Sequence, residues 1–205
     1  QAHIQKSDNM WRILRDHRAM GAQVVLLTAT PVGLSKWADT LVVSGRMHEY
    51  RECNALVPAI VRSIEQPDLR KVKREKTGEY VLDDKTRAIY TQTIVGNVID
   101  RWKKYNPDAR PTMMYASGKP DSVYLTDQFQ RIGVNWCHVD ATECIIDGKR
   151  AKLTRARWEE IIERYKAGDI KGLSSRFKLR EGIDLPCTYH VILATPIGSL
   201  ASYIQ

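Results

Sequence analysis

The sequence predicts an α/β fold with mainly parallel sheets, divided between two lobes. Short apolar runs of strand length recur along the chain, bounded by glycine, proline or polar residues. Between them lie segments whose apolar residues return every three or four positions, as on the inner face of a helix. Residues 65–84 break this alternation with Pro67, the basic cluster Arg70 to Lys76, Gly78 and the acidic pair Asp83 and Asp84. That break predicts a linker or hairpin, leaving residues 1–64 as a first lobe and 85–205 as a second.

In the first lobe, Met10, Ile13, Leu14 and Met20 among many charges predict a surface helix over residues 7–20. Ala22 to Leu27 is apolar, lies between Gly21 and Pro31, and is too short for a helix, so it is expected to be a buried parallel strand. Ser35 can cap a helix running to Val43, with Trp37, Ala38, Leu41 and Val42 on one side.

The second lobe alternates more regularly. Ile94, Val95, Val98, Ile99 and Trp102 make a helical stripe within residues 85–105, followed by a strand at 112–116. Asp121 is expected to cap the next helix, which runs to Arg131, and a strand follows at 134–139. Trp158, Ile161, Ile162 and Tyr165 mark a helix over 154–167, with strands near 170–174 and 190–194 and a last helix starting near Ser199. Such alternation implies βαβ units with right-handed crossovers.

Composition narrows the function classes. Lys plus Arg number 32 against 24 Asp plus Glu, a net charge of +8, which admits a polyanionic partner such as nucleic acid. No apolar run approaches the roughly 20 residues that span a bilayer, so no membrane partner is expected. The N-terminal residues lack the layout of a signal peptide. Cys53, Cys137, Cys144 and Cys187 form no Cys-x-x-Cys pair, which fits reduced packing thiols and a cytoplasmic setting. The five histidines show no paired ligand spacing, so no metal site built by the protein alone is expected. Trp102 and Trp136, flanked by apolar residues, are expected in the core. The chain begins at Gln1 and ends on Tyr203-Ile204-Gln205, which reads as a segment of a longer polypeptide.

Three ordered motifs carry the chemistry. They are Gln1-Ala2-His3, Leu27-Thr28-Ala29-Thr30-Pro31 after the first apolar run, and Arg180-Glu181-Gly182-Ile183-Asp184-Leu185-Pro186. Their order and spacing resemble motifs II, III and V of superfamily 2 DEAD/DEAH-type helicases, in the restriction, repair and prophage-associated branch. The resemblance takes in a motif IV-like strand at Met113 to Ser117 and the segment His138 to Thr142, where Ala141 stands in place of a frequent glycine. Gln205 falls where motif VI would begin.

The resemblance implies two RecA-like lobes, the first incomplete and the second nearly complete, closing on ATP and Mg2+ and moving on nucleic acid, DNA rather than RNA. Phosphoryl transfer in such a site is achieved by positioning and charge stabilisation. By the same resemblance, Gln1 stands at the position of the water-activating Glu. An amide can orient the attacking water but cannot take its proton. His3 would link motif II to motif III, and Thr28, Ala29 and Thr30 would couple ATP hydrolysis to movement. Ser117, Ser174 and Ser175 would contact phosphates of the nucleic acid, with Lys119 available beside Ser117. Gly182, Asp184 and Gln205 would face the nucleotide.

The sequence also departs from the family. No Gly-x-x-x-x-Gly-Lys-Ser/Thr loop occurs in the 205 residues. Ser117-Gly118-Lys119-Pro120 lacks the first glycine and the hydroxyl, and Pro120 lacks a backbone donor. The expectation is therefore a fragment of an ATP-dependent helicase or translocase that is inactive alone. The alternative is a non-enzymatic nucleic-acid-binding α/β module on the same scaffold.

Overall fold

A computed structural model describes residues 8–28, 35, 38–62, 70, 72–73, 80, 97–176, 179 and 183–195. The chain divides into two compact units, Gln1–Gln66 with Leu200–Gln205, and Pro67–Ser199.

In the first unit, α1 (Asp8–Ala19) forms where the sharply amphipathic stripe predicts it. Gly21, at φ +85°, ends it. The Gly21 and Ala22 N–H groups donate to Arg18 O and His17 O, a Schellman stop that a residue without Cβ favours. Residues 22–28 correct the strand expectation. They form no ladder, and Val25 and Leu27 are each 77% exposed. A strand exists only where a neighbour takes its backbone hydrogen bonds. No described residue of this unit does so. Residues 38–46 likewise form no helix, and the chain instead turns helical at α2 (Met47–Glu52), one turn past the predicted stretch.

The second unit carries a six-stranded mixed sheet, mostly parallel. Helix α3 covers residues 97–105 and leads into β1 (Thr112–Ala116), α4 (Lys119–Arg131), β2 (Trp136–Val139), β3 (Glu143–Ile146), β4 (Lys149–Lys152), α5 (Arg155–Lys166), β5 (Gly172–Ser175) and β6 (His190–Ala194). The strand order is β4-β3-β2-β5-β1-β6. Strands β2, β5, β1 and β6 run parallel, and β3 and β4 add an antiparallel hairpin.

The pleat sorts the core onto two faces. Met113, Cys137, Val139 and Leu173 pack with Ile161 and Tyr165 of α5. Met114, Trp136 and Ala194 pack with Val98 and Trp102 of α3 and Leu125 and Phe129 of α4. Helices on both faces make a three-layer unit. Trp102 and Trp136 are buried as expected, with Phe129 stacked on Trp136 at 3.6 Å between ring centroids. Trp102 Nε1–H donates to Thr112 Oγ1 at 2.9 Å, which satisfies the indole inside the core.

Helix α4 corrects the predicted cap. Gly118 is the N-cap, and Pro120 lies in the first turn, where a missing N–H costs nothing. Asp121 therefore sits inside the helix, not at its cap. For α5 the Thr154 hydroxyl accepts from Arg157 N–H, as a cap should. The linker expected at 65–84 and the helix expected near Ser199 lie outside the described residues, apart from isolated positions.

Candidate functional site

The four parallel strands end on one edge of the sheet, and polar residues follow each of them. Ser117, Gly118 and Lys119 follow β1, Asp140 follows β2, Arg176 follows β5 and Thr195 follows β6. β1 leads into α4 on the Trp136 face. The segment leaving adjacent β5 places Leu179 and Leu185 on the α5 face. Neighbouring strands whose connections depart to opposite faces leave a crevice at their carboxyl ends, where ligands collect in open α/β sheets.

Beneath this edge runs a buried chain of hydroxyls. His138 Nδ1 lies 2.6 Å from Ser122 Oγ, Ser122 Oγ–H donates to Ser174 Oγ at 3.0 Å, and Ser174 Oγ lies 2.6 Å from Thr126 Oγ1. All four residues are buried. Their positions follow from the folding pattern: Ser122 and Thr126 are one helical turn apart on the inner face of α4, and His138 and Ser174 are register partners on β2 and β5.

Where β2 turns into β3, Asp140 Oδ1 accepts from the Thr142 N–H and Glu143 N–H, each at 2.7 Å, and from the Thr142 hydroxyl. The other oxygen, Oδ2, meets Lys119 Nζ at 2.7 Å, and Lys119 reaches Glu143 Oε1 at 3.1 Å. Burial pushes Asp140 up, but the Lys119 ammonium and these donors outweigh it and hold the carboxyl well below its usual range. Lys119 is raised in turn by its bonds to Asp140 and Glu143. Burial lowers His138, against the pull of the two carboxylates.

Of the site residues named above, the structure describes Thr28, Ser117, Ser174, Ser175 and Asp184. Thr28 is half-buried in the first unit. Gln1, His3, Ala29, Thr30, Gly182 and Gln205 lie outside the described residues. Asp184 is exposed in the β5–β6 connection. Ser117 is buried, and its hydroxyl donates to Ala194 O at 3.1 Å, tying β1 to β6. The Ser174 side chain is fully buried in the hydroxyl chain, bonded to Ser122 and Thr126. Ser175 is buried as well, and Lys119 is held by the two carboxylates.

Sequence reasoning missed Ser122, Thr126, Glu143 and the β3–β4 hairpin. The hairpin had a signal, Asp147-Gly148 between alternating residues. Their φ angles of 49° and 73° are those a type I′ turn demands. The hydroxyl chain had none, because it joins residues up to 52 positions apart. The expectation against a protein-only metal site rested on histidine pairing, whereas the fold brings a single histidine to two carboxylates.

No protein-family model matches the chain. It is similar to a "51.5 kDa protein" of Lactococcus phage (isolate 7-9), with 27% identity over 183 residues. That alignment covers 87% of this chain and 38% of the phage protein, so the chain spans well under half the length of the relative it matches.

Proposed function

We propose that the chain works as part of an ATP-dependent superfamily 2 helicase or translocase moving on DNA. One observation supports this reading above the others. The motif IV-like strand is β1, and β5 ends on Ser174 and Ser175, which the resemblance gives to phosphate contacts; the two strands are parallel neighbours, with Met114 opposite Ser174 and Tyr115 opposite Ser175. Both segments therefore end beside the same crevice.

The groups facing a phosphate backbone in this reading are main-chain N–H groups at the N-terminus of α4 and the exposed Arg176 after β5, while Ser117, Ser174 and Ser175 shape the edge from within. Backbone donors recognise phosphate whatever the base, which suits a motor that must pass over any sequence. Of the nucleotide residues implied by the resemblance, only Asp184 is described. One exposed carboxylate does not by itself make a triphosphate site, which needs converging donors and cations. ATP and Mg2+ therefore enter through the resemblance alone.

Two measurements test the proposal. Fluorescence anisotropy with labelled single-stranded DNA should show affinity falling linearly on a log–log salt plot, by about 0.7 per phosphate contacted, with little dependence on base sequence. In the protein as encoded by its gene, Gln1→Glu should raise DNA-stimulated ATP turnover at least tenfold, in line with the roughly 100-fold that a positioned general base contributes. Sequence-specific, salt-insensitive binding overturns the proposal. DNA binding with no nucleotide turnover in either form selects the non-enzymatic binding module, and preference for RNA over DNA corrects the track.

A further inference from the structure

The hydroxyl chain bears on the tautomer of His138. Ser122 Oγ lies 2.6 Å from Nδ1 and 3.0 Å from Ser174 Oγ. With its single O–H given to Ser174, Ser122 accepts from Nδ1–H, and Nε2 then carries a lone pair. That lone pair is fully buried and has no hydrogen-bond partner. It faces Asp140 Oδ2 at 3.9 Å, a second acceptor. Two acceptors turned toward each other in a water-poor place repel unless a cation joins them.

We propose that His138 Nε2, Asp140 Oδ2 and Glu143 Oε1 form a binding site for a divalent transition metal of the Zn2+ and Co2+ class, which Lys119 closes when no metal is bound. Among the described residues these three donor atoms lie within 4.8 Å of one another. One imidazole and two carboxylates suit such an ion, and three protein ligands leave a fourth position for water.

The surroundings have the form of a metal site's outer shell. Ser122 fixes the imidazole through Nδ1, and three donors on Oδ1 of Asp140 aim Oδ2 inward. The Lys119 ammonium pairs with both carboxylates but leaves Nε2 and Glu143 Oε1 without a hydrogen-bond partner, whereas a metal ion satisfies all three donor atoms. Lys119 is 46% exposed on a flexible stem, so its departure requires no movement of the core. Glu143, at the start of the hairpin, then closes in, because ligands about 2.1 Å from a metal stand roughly 3.4 Å from each other.

The test uses the 205-residue protein stripped with chelator and titrated with Co2+ and then Zn2+, without nucleotide or DNA, so its outcome is separate from that of the helicase proposal. Co2+ should bind one per chain and give visible d–d absorption that Zn2+ abolishes. Glu143→Gln, a change at the sheet margin that keeps the fold, should weaken binding at least tenfold, and Asp140→Asn and His138→Gln at least as much. Lys119→Met, which removes the cation paired with both carboxylates and leaves Arg150 at 3.5 Å from Glu143 Oε1, should tighten it about tenfold. The proposal is overturned if no stoichiometric Co2+ binding occurs. It is equally overturned if Glu143→Gln and Lys119→Met, both folded by circular dichroism, leave the affinity and spectrum unchanged.

Discussion

Gly172 lies beneath the indole of Trp136, and a Cβ placed there would come within 2.3 Å of ring carbons. Gly172→Ala should therefore destabilise the protein by about 2 kcal/mol through overpacking, read as a lower urea midpoint at unchanged slope. Ser174→Ala strips a shared partner from Ser122 and Thr126 and should cost about 1–2 kcal/mol by the same measurement. If Ser174 instead touched phosphate, the mutation would lower DNA affinity and leave the urea midpoint unchanged. At this scale the sequence revealed residue types but not their company. Ser174 and Ser175 look alike on paper, and a preference for phosphate followed only from their place in a motif. Burial inside a hydrogen-bonded chain is set by α4 crossing over β5, which no local pattern encodes.

Helix α5 and the β3–β4 hairpin are joined by charge. Arg164 forms a two-pronged pair with Asp147 at 2.8 Å and also holds Asp169 at 2.6 Å. The Arg164 guanidinium keeps Asp147 below the usual carboxylate range. A depressed carboxyl adds stability above its unfolded pKa of about 3.9 and loses it as pH falls through the folded value. Arg164→Met should thus lower the melting temperature at pH 7, and the gap from wild type should narrow below about pH 4. Asp147 is half exposed, so solvent screens the pair and the effect stays modest. Gly148→Ala, which forces a Cβ onto φ 73°, should cost about 1 kcal/mol in the same melts. The elements of the second unit were legible because helices α4 and α5 show their period within a dozen residues and strands β1, β2 and β6 are mostly apolar. The hairpin was passed over because β4, Lys149–Lys152, has no apolar run, its strand character coming from pairing with β3.

Across the whole molecule the two units differ in how much they bury. No described residue from 8 to 62 is buried, and Val42, Val57 and Ile60 are more than 80% exposed. The second unit encloses two apolar clusters on opposite faces of its sheet. Amide hydrogen exchange should reflect this: β1, β2 and β5 exchange only on global unfolding, while residues 22–28 and 57–62 exchange close to the free-chain rate. Slow exchange at 22–28 would mean that the run is paired in solution, as its apolar composition predicts. No helix among the described residues is long and apolar enough to cross a membrane. The sequence by itself determined the α/β alternation of the second unit, the limits of α1 and α5, and the burial of Trp102 and Trp136. These depend on hydrogen bonds and periodicities a few residues long. Only the tertiary structure decided that Thr112–Ala116 is a strand while 22–28 is not, and that His138, Asp140, Glu143 and Lys119 meet. A ladder and a polar cluster both draw their partners from distant parts of the chain, so neither exists until those parts are packed together.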